Sequence, residues 1–138
     1  MAQSLSTSQD LLDIATRIAI SASQPRPRGR QSTQEPVVDS TTINNLLAYM
    51  QSRKSIKELL AYILRQTGRE EIDRNTSKLL LSTLKNFKES DDDINKALEL
   101  LGYVKWIYET ISGLNIDASR LKNISTFQQL VEELVKMM

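Results

Sequence analysis

The chain has 138 residues and a formal net charge of +1, which fits one domain and leaves no room for separate cofactor and substrate modules. It contains no cysteine and no histidine, which excludes disulfides, zinc–thiolate and iron–sulfur centres and histidine-based catalysis. Only four glycines and three prolines are present, and Leu, Lys, Glu, Gln and Ser are abundant, so the composition predicts an all-α protein. No apolar run is long enough for a membrane span, and the first residues do not look like a secretion signal.

The first forty residues differ in character from the rest. All three prolines lie between residues 24 and 36, and every aromatic residue lies after position 48. Because a packed core needs large side chains, we expect residues 40–138 to form a compact bundle of four to five helices. Residues 1–39 are predicted to form an N-terminal arm attached to that bundle.

The arm begins with a predicted amphipathic helix over residues 8–23. Its apolar residues recur at spacings of three and four, which places them on one face: Leu11, Leu12, Ala15, Ile18, Ala19 and Ala22. A single helix of this length is only marginally stable in water. The helix therefore either packs on a neighbouring subunit, through Leu11, Leu12 and Ile18, or folds back on its own bundle, and the sequence leaves both alternatives open.

Residues 24–39 are predicted to form an extended linker, because proline disfavours helix at and before its own position. Arg26, Arg28 and Arg30 alternate along this linker, with no acidic residue between Arg17 and Glu35. Such a tract can follow a phosphate backbone and release its counterions, and it can equally be a plain basic linker. The residues after position 40 are almost neutral in total, which argues against a general nucleic-acid surface but not against a local one.

The bundle is predicted to contain five helical segments joined by short connections, with a further short turn at residues 117–122. The predicted helices begin at Ser40 or Thr41, at Ser55, near Glu70, at Ser90 and at Ser125. The fourth of them, over residues 91–112, is apolar on nearly every side and carries Tyr103, Trp106 and Tyr108. A helix of that kind is either central or shared with another subunit, so these three aromatic residues are candidates for a subunit interface. They are alternatively core residues or a platform for stacking bases.

Catalytic motifs are not found in the sequence. No glycine-rich phosphate loop and no nucleophile elbow occurs. Glu89 and the run Asp91–Asp93 could bind Mg²⁺ or Ca²⁺, but the run lacks the glycine and the terminal glutamate of a calcium loop, and acidic residues are favoured in a first helical turn in any case. We therefore expect a protein that is not an enzyme and has no metal, cofactor or small-molecule substrate.

The layout resembles that of the major capsid proteins of filamentous archaeal DNA viruses, the rudiviruses and lipothrixviruses. The resemblance lies in the overall length, in the prolines at positions 25, 27 and 36, and in the order of the later segments: residues 56–68, 79–87 and 100–108, followed by a short apolar C-terminal helix. In that family an extended N-terminal arm with proline kinks precedes a helical bundle, and paired subunits wrap A-form DNA. Such coat proteins are strongly basic, whereas this chain is nearly neutral.

The resemblance implies a non-enzymatic structural protein that self-assembles in many copies and coats double-stranded DNA without reading its sequence. It implies that Arg26, Arg28 and Arg30 lie against phosphates, with Arg17 and Lys54 nearby. It further implies that the arm helix clasps a second copy or a paired paralogous subunit, and that the protein is located in a virion.

Two other functions remain open from the sequence. Residues 97–106 are similar to a helix of the small helical subunits of CRISPR effector complexes, which stack along a guide and its target. Alternatively, the chain is an adaptor whose arm helix docks on an unrelated protein, with no role for nucleic acid. For either of these, a cytoplasmic location is expected.

Overall fold

The computed structural model describes residues 8–26 and 35–138, and over these residues the fold is all-α with no strand, as predicted. Six α-helices follow one another along the chain: α1 Ser8–Ser23, α2 Ser40–Arg53, α3 Ile56–Gly68, α4 Arg74–Leu84, α5 Asp91–Gly113 and α6 Phe127–Met137. A 3₁₀ turn, Ala118–Leu121, lies between α5 and α6 at the place where the sequence predicts a short turn.

Helix α1 lies at the centre of the molecule. It packs most extensively along α5 and also contacts α4, α6 and the 3₁₀ turn. Leu11, Ala15, Ile18, Ala19 and Ala22 are all almost completely buried. The alanines have no long side chain, so they let α1 approach its neighbours closely, and the larger residues fill the core between them.

The position of α1 corrects the helical part of the predicted arm, whereas residues 27–34 of the predicted extended linker lie outside the described residues. The helix has the predicted bounds, but it packs on its own chain and shares one continuous core with α2 to α6. In the structure α1 folds back on its own bundle, which is one of the two alternatives that the sequence leaves open. The physical reason is that Ile20 and the polar residues Thr16 and Ser21 are buried as well, so α1 is enclosed beyond its apolar stripe.

Polar contacts also tie α1 to two other helices. The Ser21 hydroxyl shares a buried 2.7 Å hydrogen bond with the Thr76 hydroxyl on α4, and Asn75 donates to the Ser21 oxygen at 2.8 Å. The Asp13 carboxylate accepts a 2.8 Å hydrogen bond from the backbone N–H of Phe127, the first residue of α6. Since a helix begins with unpaired N–H groups and a positive dipole end, Asp13 stabilises the start of α6.

Local sequence signals determine most helix starts. Ser55 caps α3 and Ser90 caps α5, as predicted, each accepting a hydrogen bond from the backbone N–H three residues later. Thr126 caps α6, one residue after the predicted Ser125. Two further caps differ from the prediction, because Asp39 caps α2 and Asp73 caps α4, and Ile72 is buried ahead of α4 instead of inside it.

None of the helices within the described ranges combines the length and the hydropathy needed to cross a bilayer.

Candidate functional site

The two ends of the proline-rich segment are held together at the body of the protein. Pro25 and Pro36 form an isolated antiparallel bridge, the Arg26 N–H donates to the Glu35 carbonyl at 2.9 Å, and the Val37 N–H donates to the Gln24 carbonyl at 2.7 Å. Residues 24–26 and 35–37 therefore lie side by side, and we call the chain between them the 26–35 loop. Arg28 and Arg30, two of the predicted nucleic-acid contacts, lie outside the residues that the structure describes.

Arg26 is exposed at the base of this loop. Its guanidinium lies 3.8 Å from the Glu35 carboxylate, an ion pair in which both side chains are largely exposed to solvent. Arg26 also lines a cleft of about 520 Å³ that reaches the junction of α3 and α4, where Gly68, Glu70 and Arg74 lie. Charges of both signs meet in this cleft, so it is not a uniformly basic surface.

The other two predicted phosphate contacts lie at separate junctions of the fold. Arg17 donates a 2.8 Å hydrogen bond to the Ser125 carbonyl, so its guanidinium holds the segment that leads into α6. Lys54 adopts a left-handed conformation with φ of 51° and ends α2. Lys54 precedes α3, whereas Arg26 lines the cleft at the other end of that helix. Arg17, Arg26 and Lys54 therefore lie at three different junctions of the fold.

A second candidate site is the groove formed beside Trp106. Trp106 projects from α5 with 66% of its surface exposed, the largest apolar side chain so exposed among the described residues. Next to it lies an apolar groove of about 630 Å³, which we call the Trp106 groove; its lining residues are Leu12, Tyr103, Trp106, Ile107, Glu109, Thr110 and Phe127. The Tyr103 and Trp106 rings are tilted at 50° with centroids 5.9 Å apart.

The predicted interface residues divide between this groove and the core. Leu12, Tyr103 and Trp106 lie together at the groove. The structure corrects the placement of the other three, because Leu11, Ile18 and Tyr108 are almost fully enclosed by the chain itself and offer no surface to a second subunit. In particular, the buried Tyr108 hydroxyl donates a 2.6 Å hydrogen bond to the Val38 carbonyl, so it fastens the segment ahead of α2 to α5.

Glu89 caps the start of α3, and Asp93 holds the turn ahead of α5. The Glu89 carboxylate accepts hydrogen bonds from the Ile56 N–H and the Lys57 N–H, both at 2.8 Å, and from the Ser55 hydroxyl at 3.0 Å. The two backbone hydrogen bonds, of which the one from Lys57 has the larger effect, hold the pKa of the Glu89 carboxyl below its usual 4.5. The Asp93 carboxylate accepts from the Lys88 N–H at 2.7 Å. In the described part of the chain, no group of three or more acidic side chains is arranged to hold a metal ion.

A third cavity lies between the loop base and the end of α5. It has a volume of about 310 Å³ and is lined by residues that include Pro25, Pro36, Tyr108, Asn115 and Asp117. The Ser23 hydroxyl at its wall is buried without a hydrogen-bond partner. Hydrogen bonds from Ser119 hold the pKa of the Asp117 carboxyl below its usual value.

Sequence reasoning missed two residues at these sites. Phe127 completes the Trp106 groove, but in the sequence it is one member of the apolar stripe of α6. Arg74 lines the same cleft as Arg26. The sequence contains a signal for Arg74, because it is the first residue of α4, where a positive charge is unfavourable next to the positive end of the helix dipole. A cation at such a position suggests a role other than helix stability.

No protein-family model matches the chain, and no curated protein shows detectable sequence similarity to it.

Proposed function

We propose that this protein is a non-enzymatic structural subunit that joins copies of itself through the Trp106 groove and binds nucleic acid through the arginines of the 26–35 loop. The coat subunit of a filamentous virus works in this way. The observation that carries the proposal is the exposure of Trp106 beside an apolar groove on a fold whose core is otherwise complete. Exposed apolar patches of this kind on soluble proteins commonly mark sites of association.

The loop supports the second half of the proposal. The bridge between Pro25 and Pro36 holds the two ends of the arginine tract side by side, and Arg26 is exposed at one of these ends. Arginine is suited to phosphate because its planar guanidinium forms two parallel hydrogen bonds with oxygen pairs. Contacts of this type position a protein on a duplex without selecting a sequence.

The test for nucleic acid uses two variants with equal loss of charge. Arg26→Ala/Arg28→Ala/Arg30→Ala removes the loop arginines, and Arg65→Ala/Arg69→Ala/Arg120→Ala removes three exposed arginines elsewhere. Binding to duplexes of two unrelated sequences is measured by fluorescence anisotropy across a salt titration. We expect the loop variant to bind more weakly and to lower the salt slope by up to about three units, since each phosphate contact contributes about 0.9.

Two results would contradict the nucleic-acid half of the proposal. If the loop variant and the control variant lose affinity to the same extent, the binding reflects overall charge and not the loop. If the unmodified protein binds no duplex at low salt, and no 260 nm absorbance accompanies it through purification, nucleic acid has no part in its function. If the loop-dependent binding is found, electron microscopy of the protein with duplex DNA shows whether filaments form.

The second candidate is an adaptor that binds other proteins only. Two observations favour it: the net charge is only +1, and Glu35 pairs with Arg26 and so offsets part of the positive charge at the loop base. A purified protein that remains monomeric, free of nucleic acid and unchanged on addition of duplex would support the adaptor over the structural subunit.

A further inference from the structure

The face that contains Trp106 carries a projection and a recess side by side. Trp106 projects from α5, and the adjoining groove between α1, α5 and the start of α6 is lined mainly by Leu12, Tyr103, Ile107 and Phe127. With a volume of about 630 Å³, the groove is large enough to take an indole ring from another molecule.

A projection next to a matching recess makes a surface self-complementary. When two copies meet about a two-fold axis, each presents the same patch to the other, so the Trp106 of each copy can enter the groove of its partner. Tryptophan is also the residue type most enriched among those that dominate the affinity of interfaces. A second copy of this chain therefore fits the groove and also accounts for the exposure of Trp106.

Two charged residues next to Trp106, of which Glu109 lines the groove, are compatible with the same symmetry. Lys105 and Glu109 flank Trp106 on α5, and within one chain their Nζ and Oε2 atoms are 4.0 Å apart, a long and partly exposed ion pair. The two residues are equally distant in sequence from Ile107. If two α5 helices cross in antiparallel orientation, with the two-fold axis on the exposed side of α5 at the height of Ile107, Lys105 of one copy lies level with Glu109 of the other, twice over.

We propose that two copies of the chain pair through this face, with antiparallel α5 helices, mutually inserted Trp106 side chains and two Lys105–Glu109 ion pairs between the copies. This inference rests on the proposed function, for which it supplies the subunit contact. Large aromatic side chains bury about 150–250 Å² each, so the patch lies below the roughly 800 Å² per partner of a standard interface. We therefore expect a reversible dimer with a dissociation constant in the micromolar range.

The first test removes the projecting side chain. Sedimentation velocity over a concentration series measures the dimer constant for the unmodified protein, for Trp106→Ala and for Leu64→Ala. Leu64 is a matched control because it is an apolar residue on α3 with 59% of its surface exposed. We expect Trp106→Ala to weaken pairing at least tenfold and Leu64→Ala to leave it unchanged, with circular dichroism confirming that both variants are folded.

The second test identifies the partner as another copy in the stated orientation. Lys105→Glu and Glu109→Lys each place like charges opposite one another in a homodimer, so each variant alone should pair several-fold more weakly. Mixed together, the two variants bring opposite charges face to face at both positions. We expect the mixture to form a one-to-one heterodimer that is more stable than either homodimer, and the double variant Lys105→Glu/Glu109→Lys to recover homodimer formation.

The outcomes separate this inference from the proposed function. A protein that stays monomeric at all concentrations, or a Trp106→Ala variant that pairs normally, overturns the inference and the self-association half of the proposed function, even if the loop binds duplex DNA and so supports the nucleic-acid half. Pairing that depends on Trp106 without heterodimer formation in the mixture overturns the antiparallel arrangement. Pairing as proposed, in a protein that binds no nucleic acid, supports the inference and removes the nucleic-acid half of the proposed function.

Discussion

Glu89 connects two segments that are distant in sequence. Its carboxylate accepts hydrogen bonds from the first backbone N–H groups of α3 and from the Ser55 hydroxyl, while Glu89 itself lies just ahead of α5. A negative charge at this end of a helix is favoured by the helix dipole and satisfies donors that have no partner within the helix. Glu89 thus acts as a cap supplied by a different part of the chain.

The Glu89→Gln variant tests this role through its pH dependence. Because the folded protein lowers the pKa of Glu89 below 4.5, the charge adds stability above that pH and the contribution is lost as the pH falls through the lowered pKa. We expect the variant to unfold at a lower temperature than the unmodified protein at pH 7 and the two to converge in acid. Glu133→Gln, at a partly exposed position of α6, is the charge-matched control. An equal effect of both substitutions at pH 7 would contradict the capping role.

Tyr108 provides a second prediction at the level of a single residue. Tyr108→Phe removes the hydroxyl that donates to the buried Val38 carbonyl and leaves that acceptor without its partner. The expected loss is about 1–3 kcal/mol in the free energy of unfolding, measured by urea denaturation. Tyr103→Phe is the control, because the Tyr103 hydroxyl lies 3.5 Å from Glu99 in an exposed position, and its loss should cost less than about 0.5 kcal/mol.

Tyr108 also makes the free energy of unfolding depend on pH in the alkaline range. Burial, together with the negative charge of Asp39, raises the pKa of Tyr108 from 10.0 to about 12. A raised pKa means that the unfolded chain loses this proton first, so the contribution of Tyr108 is complete below pH 10 and disappears as the pH rises to about 12. The difference in unfolding free energy between the unmodified protein and Tyr108→Phe should therefore shrink over this range. A constant difference would contradict a buried, neutral Tyr108.

At the level of elements, helix boundaries were predictable and helix placement was not. Residues 8–23 form the predicted helix, and Ser55 and Ser90 are the predicted caps, because capping and apolar spacing depend on neighbours a few residues away. Whether α1 packs on its own bundle or on another subunit depends on contacts with α4, α5 and α6, far along the chain. Its alanine-rich stripe suggests a weak helix in isolation, yet the same small side chains allow close packing in the core.

A pair of matched substitutions tests the central position of α1. Ile18 is 1% exposed, and truncation to alanine leaves a cavity that the surrounding core cannot fill. We expect Ile18→Ala to lower the free energy of unfolding by about 2–5 kcal/mol, measured by urea denaturation. Leu64→Ala removes a similar side chain from an exposed position of α3 and should have an effect within about 0.5 kcal/mol. Comparable effects would mean that α1 is peripheral.

For the whole molecule, the sequence identified some members of each candidate site but not their grouping. Tyr103 and Trp106 stand out as aromatic residues on one helix, yet only the folded chain brings Leu12 and Phe127 beside them. The resemblance to capsid proteins implies that Arg17 and Lys54 lie near the basic tract, yet one holds the segment before α6 and the other ends α2. A linear pattern contains residue types and spacing, whereas a site also depends on how distant helices meet.

A truncation distinguishes a single body from a body with an arm. Deleting residues 1–26 removes α1 and with it the surface on which α4, α5 and α6 pack. We expect the remaining chain to lose cooperative thermal unfolding by circular dichroism, because the core would be exposed along the length of α5. A variant that lacks only residues 27–34 keeps every described helix and serves as the control. If the chain without residues 1–26 still unfolded cooperatively at an unchanged temperature, α1 would be a separate arm and not a part of the core.

Trp106 is the only tryptophan of the chain and lies mostly in water. Its fluorescence should already resemble that of a solvated indole in the native monomer, so denaturation should change the emission little and would be a poor monitor of folding. Enclosure by another molecule should instead shift the emission to the blue and shield the ring from acrylamide quenching. The unlabelled protein thus carries an intrinsic optical reporter that responds to association far more than to unfolding.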